Sequence, residues 1–351
     1  MAAHGITGEI LKWVEAWLSG REQRVILNGK ASQWSKVASG VPQGSVLGPT
    51  LFVIYINDID NAIDIISGFI SKFADDTKVG RTIIGEEDRE ALQVDINNLS
   101  DWASTWQMQF NAGKCKVLHI GNQNPKFCYT MGGHAPAGAV LEETIVEKDV
   151  GVLVHNTLKP REQCVKASKK ANQVLGQMTR ALHYRDKDTF VRLYVQYCRP
   201  HLEYAIQSWN PWYQQDIDIL ENVQKRAMKM VSGLKGNTYE ERLKEVGLTS
   251  LRERRERGDM IHVWKILHEK DDVKPSLWFK FASEIQSGAI TRNQGKPWNL
   301  QLPSAVKLLD IRINFFSHRV VDPWNSLPHE IQDSANINIF KNRYDAHFQP
   351  S

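Results

Sequence analysis

Cysteine is scarce here and poorly placed for chemistry. The four thiols, Cys115, Cys128, Cys164 and Cys198, lie far apart, with no Cys-x-x-Cys spacing and no paired histidines beside them. That pattern argues against both a disulfide framework and a zinc site. Long apolar runs are missing too. The most apolar stretch, Leu51 to Ile56, is far too short to span a bilayer, and Met1 to Gly20 mixes acidic and basic side chains among its apolar ones, unlike a signal peptide. These absences predict an intracellular chain in a reducing compartment with no membrane attachment, nucleus and cytoplasm being undistinguished. Internal repeats and low-complexity tracts are absent as well.

A large charge of one sign is also lacking, since the net charge of the 351 residues is only +4. The distribution says more than the sum. Pro160 to Lys265 holds 20 Lys/Arg against 13 Asp/Glu, an excess that suits a partner with a phosphate backbone, although alternating signs along helices also describe a solvated surface.

The first part of the chain mixes periods. Thr7 can cap a helix whose apolar positions Ile10, Leu11, Val14, Trp17 and Leu18 recur at helical spacing until Gly20. Val25–Leu27 and Trp34–Val37 flank Asn28-Gly29, a strong hairpin signal. A helical segment is expected from Pro49 to Ile59, two short strands around Asp75-Asp76 from Phe69 to Val79, and an amphipathic helix from Glu86 to Phe110. Lys116–Ile120 and Asp149–Val154 read as further strands. Past Pro160 long helical patterns dominate, over Val165–Leu182, Asp188–Trp209, Asp216–Val231 and Tyr239–His268. The expected class is α+β, with a boundary near residues 155 to 160.

Two features carry possible chemistry. Adjacent carboxylates at a hairpin tip, Asp75 and Asp76, repel each other unless a cation or hydrogen-bond donors neutralise them, although Asp-Asp also occurs in ordinary polar turns. Upstream, Ser39-Gly40-Val41-Pro42-Gln43-Gly44-Ser45-Val46-Leu47-Gly48-Pro49 packs three glycines and two prolines into eleven residues, a fixed turn where bare backbone can approach a ligand and Gln43 and Ser45 can hydrogen-bond it. It lacks the Lys-Ser/Thr ending of a phosphate loop and the order of a nucleophile elbow. Trp102, Trp106, Trp209 and Trp212 could stack on bases, but their apolar neighbours favour a core role.

In this order and spacing, the turn and Phe73-Ala74-Asp75-Asp76-Thr77 resemble the reverse transcriptases of non-LTR retrotransposons, in particular the CR1 and jockey-like groups. Tyr55-Ile56-Asn57-Asp58-Ile59, Trp106 to Asn111, Lys114-Cys115, Glu147 to Val152, Arg199 to Tyr204, Arg257-Gly258-Asp259 and Val320 to Pro328 extend the resemblance over nearly the whole chain. It implies a partial palm at 1–158, an antiparallel sheet with packed helices, then a mainly helical thumb-like region at 159–270 and a retrotransposon-type carboxy-terminal region at 271–351.

By position, the resemblance implies RNA-directed DNA polymerisation. Asp75 and Asp76 would hold Mg2+, with Mn2+ as a substitute; Ser39, Gly40, Pro42, Gln43 and Gly44 would meet the nucleotide and template; Lys114 would protonate the departing pyrophosphate. Asp149, Val150, Gly151 and Val152 would grip the primer. RNA template and DNA primer, or their hybrid, would be the partners. Phosphate contacts are expected from Lys166, Lys169, Lys170, Lys225, Arg226 and Lys229, and further from Arg252, Arg254, Arg255 and Arg257. In the family another catalytic aspartate lies on a palm strand shortly before the Gly5-Ile6-Thr7-Gly8 region. The chain is therefore expected to be a truncated fragment without that strand, the fingers or an endonuclease, inactive alone unless the missing strand completes the magnesium site. Asp58, Asp60 and Asp64 could compensate only by relocating. The alternative is a non-catalytic nucleic-acid-binding protein derived from a retrotransposon.

Overall fold

Short strands and single helices fill the chain as far as residue 155, and helices dominate beyond it. The computed structural model describes residues 1–64, 68–132, 138–281, 298–301 and 309–348. Two compact units divide it, Met1–Thr144 and Ile145–Ser351.

In the first unit, α1 spans Gly8–Leu18, with Thr7 at its N-cap but no side-chain capping bond. Asn28-Gly29 does make a tight turn, with φ of 49° and 77°. It joins β2 (Ile26–Leu27) to β3 (Lys30–Ala31), whereas the expected partner segment supplies β4 (Ser35–Lys36), which pairs with β1 (Glu22–Gln23). A two-residue turn of this kind imposes its own register, so the next residues along, not the apolar Trp34 segment, become the partner. Helix α2 covers Leu47–Tyr55, and a 3-10 turn follows at Asn57–Ala62. Strands β5 (Gly68–Phe73) and β6 (Asp76–Arg81) form an antiparallel hairpin.

Helix α3, Glu86–Thr105, starts where Asp88 accepts from the amides of Ile84 and Gly85 at 2.8 and 3.0 Å. Those bonds hold the Asp88 carboxyl below its ordinary range. α3 stops short of the expected Phe110, with Gln107 at positive φ. Its apolar face backs two small cores: Leu99 with Ile59 and Ile63, and Ile96 with Tyr129, Met131 and Leu141. Strand β7 (Lys116–Leu118), β8 (Thr130–Met131), β9 (Ala139–Val140) and β10 (Glu142–Thr144) complete the unit, β7 running parallel to β10 and β8 antiparallel to β9. Among the described residues the strands pair only two by two, not in the single antiparallel sheet expected.

The second unit opens with β11 (Val146–Asp149) and β12 (Val152–His155), a hairpin where a single strand was expected. β12 packs on α4 (Arg161–Ala181), and Gln163 Oε1 accepts from the Leu153 amide at 2.9 Å. That contact groups the hairpin with the helices. The expected continuous helix 188–209 is broken into α5 (Lys187–Leu193), a π turn at Tyr194–Cys198, α6 (Pro200–Glu203) and α7 (Ile206–Trp209). Pro200 cannot donate to the preceding turn, and Ala205 at φ 51° ends α6. After α8 (Gln214–Lys229), the expected helix 239–268 is likewise two. Gly247 in the left-handed region caps α9 (Tyr239–Val246), and a Ser250/Glu253 capping box starts α10 (Leu251–Leu267).

Phe190, Tyr194, Leu175, Leu220 and Met228 fill the core between these helices. Each such side chain contributes about 1.5–3 kcal/mol by leaving water. A second core gathers Trp264, Trp324 and Phe340 with β13 (Lys280–Phe281), β14 (Leu300–Gln301) and the helices from Phe316 onward. Among the described residues no helix is long and apolar enough to cross a membrane.

Candidate functional site

The β5–β6 hairpin pairs Gly68 with Arg81 through to Phe73 with Asp76, leaving Ala74 and Asp75 as its loop. Ala74 takes φ 54°, the left-handed conformation this turn requires. Asp75 therefore sits in the loop and Asp76 opens β6, both exposed. Strand alternation turns Ile70, Lys72, Thr77, Val79 and Arg81 inward and leaves Phe69, Ser71, Phe73, Asp76 and Lys78 on the open face.

Buried and half-buried charges anchor the hairpin. Arg81 Nη2 donates to Asp95 Oδ2 at 2.9 Å, each side chain 6% exposed. That bond raises the Arg81 guanidinium above its ordinary value. Asp95 Oδ1 also accepts from the Asp64 amide at 3.1 Å. Nearer the tip, Lys72 Nζ pairs with Asp60 at 2.9 Å and donates to the Asn57 carbonyl at 3.1 Å. Trp102 Nε1 donates to Asp58 Oδ1 at 3.1 Å. Asp58, Asp60 and Asp64 thus serve the scaffold, Asp64 lying 3.6 Å from Arg81.

The glycine-rich turn is held from within. Ser45 Oγ donates to the Pro42 carbonyl at 2.7 Å and accepts from the Gly48 amide at 3.0 Å, so the hydroxyl expected to face a ligand is spent on the turn. A Cβ at Gly48 would lie 2.8 Å from Ser45 Oγ and 3.1 Å from the Pro42 carbonyl, which is why glycine stands there. Gly40 and Gly44 have φ of 82° and 79°. Ser39, Gly40, Gln43 and Gly44 are exposed, Pro42 half-buried, and Arg21 donates to the Gly40 carbonyl. Among the described residues no hydrogen bond or ion pair joins this turn to Asp75 or Asp76. Lys114 is exposed on the turn before β7, its amide donating to the Asn111 carbonyl at 2.9 Å.

Could Asp75 and Asp76 hold the implied magnesium ion? Among the described residues no group of three or more His, Cys, Asp or Glu is arranged to hold a metal. Magnesium demands a near-octahedral set of oxygens, and two exposed carboxylates at a loop do not fit it by themselves.

In the second unit, Val150 and Gly151 form the two-residue loop between Asp149 and Val152, at φ 42° and 89°. A β-branched residue at positive φ is strained, and the surroundings hold it there. Tyr204 Oη donates to the Val150 carbonyl at 3.0 Å, and Lys166 Nζ donates to the Gly151 carbonyl at 2.7 Å. Burial, with Lys148 nearby, lowers the Lys166 ammonium from its ordinary value. Tyr204 is the partner that residue-level reading missed; its only signal was its place in the Arg199–Tyr204 string.

The other basic residues divide sharply. Arg254 pairs with Glu203, Arg257 with Asp345, and Arg252 with Glu256, while Arg255 is only 3% exposed. Lys225 lies 5.4 Å over the Tyr239 ring. Lys169, Lys170, Arg226 and Lys229 are exposed and make no ion pair among the described residues.

The family model described as reverse transcriptase (RNA-dependent DNA polymerase) matches residues 1–176. The chain is 27% identical over 238 residues to the RNA-directed DNA polymerase from mobile element jockey of Drosophila funebris, covering 65% of this chain and 25% of that protein. It is 24% identical over 231 residues to the jockey protein of Drosophila melanogaster, covering 63% and 25%. Against the probable RNA-directed DNA polymerase from transposon X-element of Drosophila melanogaster it is 25% identical over 231 residues, covering 63% and 24%. The aligned region thus spans about a quarter of each of these relatives. No solved structure matches significantly. With its first 176 residues matched as one reverse-transcriptase domain and jockey-type polymerases as its relatives, the chain belongs to the reverse transcriptase family, on the non-LTR, jockey-like branch.

Proposed function

We propose that this chain is the portion of an RNA-directed DNA polymerase that carries the adjacent palm carboxylates Asp75 and Asp76, followed by a thumb-like region at 159–270 and a carboxy-terminal region at 271–351. The observation that supports this most is the exposure of two neighbouring carboxylates at the tip of a hairpin anchored by a buried ion pair. Like charges kept together in this way are relieved by a cation or by a ligand that brings one. The family's reaction joins a primer 3′-hydroxyl to the α-phosphate of a nucleotide, on an RNA template. Here Asp75 and Asp76 belong to the carboxylate set, Gln43 and Gly44 face the nucleotide and template, Lys114 is the proton donor to pyrophosphate, and the Val150–Gly151 turn contacts the primer.

Because two carboxylates alone do not make a magnesium or manganese site, the 351-residue chain by itself is inactive. Primer extension on an RNA template, with magnesium and then with manganese, tests this: no product is expected. Templated synthesis that disappears in Asp75→Ala would refute the inactivity. Fusing a segment that carries a further palm carboxylate should restore synthesis, and Asp75→Ala should then abolish it.

A second reading, nucleic-acid binding without catalysis, is favoured by Lys169, Lys170, Arg226 and Lys229, which are exposed and make no ion pair among the described residues. Affinity for an RNA–DNA hybrid should then fall steeply with salt.

A further inference from the structure

Large apolar side chains are exposed on the second unit. Leu277 is 77% exposed and Leu309 75%, and Trp278 and Phe315 are exposed as well. The Trp278 and Phe315 rings are parallel to within 2°, centroids 6.2 Å apart. Trp278 also meets the buried Phe316 edge-on at 5.8 Å, which fixes its plane. The two rings thus lie in parallel, offset planes, both part-exposed, with Phe316 against Trp278.

Charge decides what would cover it. Segments 274–281 and 309–316 contain three cations, Lys274, Lys280 and Arg312, and one carboxylate, Asp310. All three cations are exposed and make no ion pair among the described residues. The Arg312 guanidinium stands 5.9 Å from the centre of the Phe315 ring. An apolar protein partner or lipid tail would bury these charges at a cost, whereas an unpaired polynucleotide matches both features, with flat bases for the rings and phosphates for the cations. A duplex hides the faces of its bases and so leaves the rings unused.

We propose that Trp278 and Phe315 form a stacking platform for the bases of single-stranded nucleic acid, with Arg312, Lys274 and Lys280 meeting its phosphates. The inference rests on the nucleic-acid reading above and adds a second contact region, remote in sequence from the catalytic motifs.

The test compares a fluorescent oligothymidylate with an abasic oligomer of the same length, titrated by anisotropy with the full chain. Wild type should bind the oligothymidylate more tightly. Trp278→Ala and Phe315→Ala should each weaken that binding about tenfold while leaving the abasic oligomer nearly unchanged. Phe315→Tyr, which keeps a ring, should retain the affinity, and Arg312→Glu should weaken both oligomers. Circular dichroism of each variant checks that it folds. Unchanged oligothymidylate binding in the alanine variants overturns the platform, as does an equal loss for both oligomers. Self-association that Trp278→Ala abolishes would make the patch a protein interface, and that too overturns it. If wild type binds an RNA–DNA hybrid but no oligothymidylate, the platform alone falls; if it binds neither, the nucleic-acid reading falls with it.

Discussion

Removing one partner of the Arg81–Asp95 pair should loosen the hairpin that presents Asp75 and Asp76. Both side chains are 6% exposed at a separation of 2.9 Å. A buried ion left without its counter-ion costs about 3–5 kcal/mol, and the lower end applies here because the hairpin is covered on one face only. Asp95→Asn and Arg81→Met should therefore each cost about 3 kcal/mol. Replacing both, as Arg81→Met with Asp95→Leu, removes the uncompensated charge and leaves mainly the Asp64 amide without its acceptor, about 1 kcal/mol. The coupling between the two sites should then exceed about 2 kcal/mol. Hydrogen exchange followed by mass spectrometry on the full chain reads this locally. The segment 68–81 should exchange about a hundredfold faster in each single variant but only about fivefold faster in the double. Additive effects, or single variants that exchange like wild type, would show that the pair does not hold the hairpin.

Three further outcomes follow from the geometry. Asp75→Ala removes an exposed loop carboxylate and should change stability by less than about 0.5 kcal/mol in a urea melt, so any loss of synthesis in a completed enzyme would be chemical. Val150→Gly relieves a β-branched residue at φ 42° and should stabilise by about 0.5–1 kcal/mol, whereas Gly151→Ala, at φ 89° with its new methyl 3.3 Å from the Tyr204 ring, should destabilise by more than that; the opposite order in paired melts would contradict the turn geometry. Burial pushes the Cys164 and Cys198 thiols up to about 12. At pH 8 each is then thiolate in only about one molecule in ten thousand, so a thiol reagent should label exposed Cys128 first and these two only in denaturant. Labelling of all four at one rate in the native chain would refute that burial.

Much of the local structure was written in the sequence, because its signals act over a few residues. Asn28-Gly29 and the loop before Asp76 make tight turns, α1 and α3 follow their apolar periods, and the glycine-rich turn feeds a helix as its composition requires. The family, too, was legible in the order and spacing of short motifs. What the sequence left open depends on contacts between distant residues. Lys30–Ala31 and not Trp34 completes the first hairpin, and helices expected to run on stop at Ala205 and Gly247, where cap geometry and core packing outweigh a continuous apolar period. Charge is the clearest case. Along the chain Arg254, Arg257 and Lys169 read alike, yet Glu203 and Asp345 neutralise the two arginines while Lys169 makes no ion pair among the described residues. Asp58, Asp60 and Asp64 look as available as Asp75, but an indole, a lysine and an arginine hold them. A residue's type sets what it can bind; which partner comes within about 3 Å of it is decided only when the chain closes on itself.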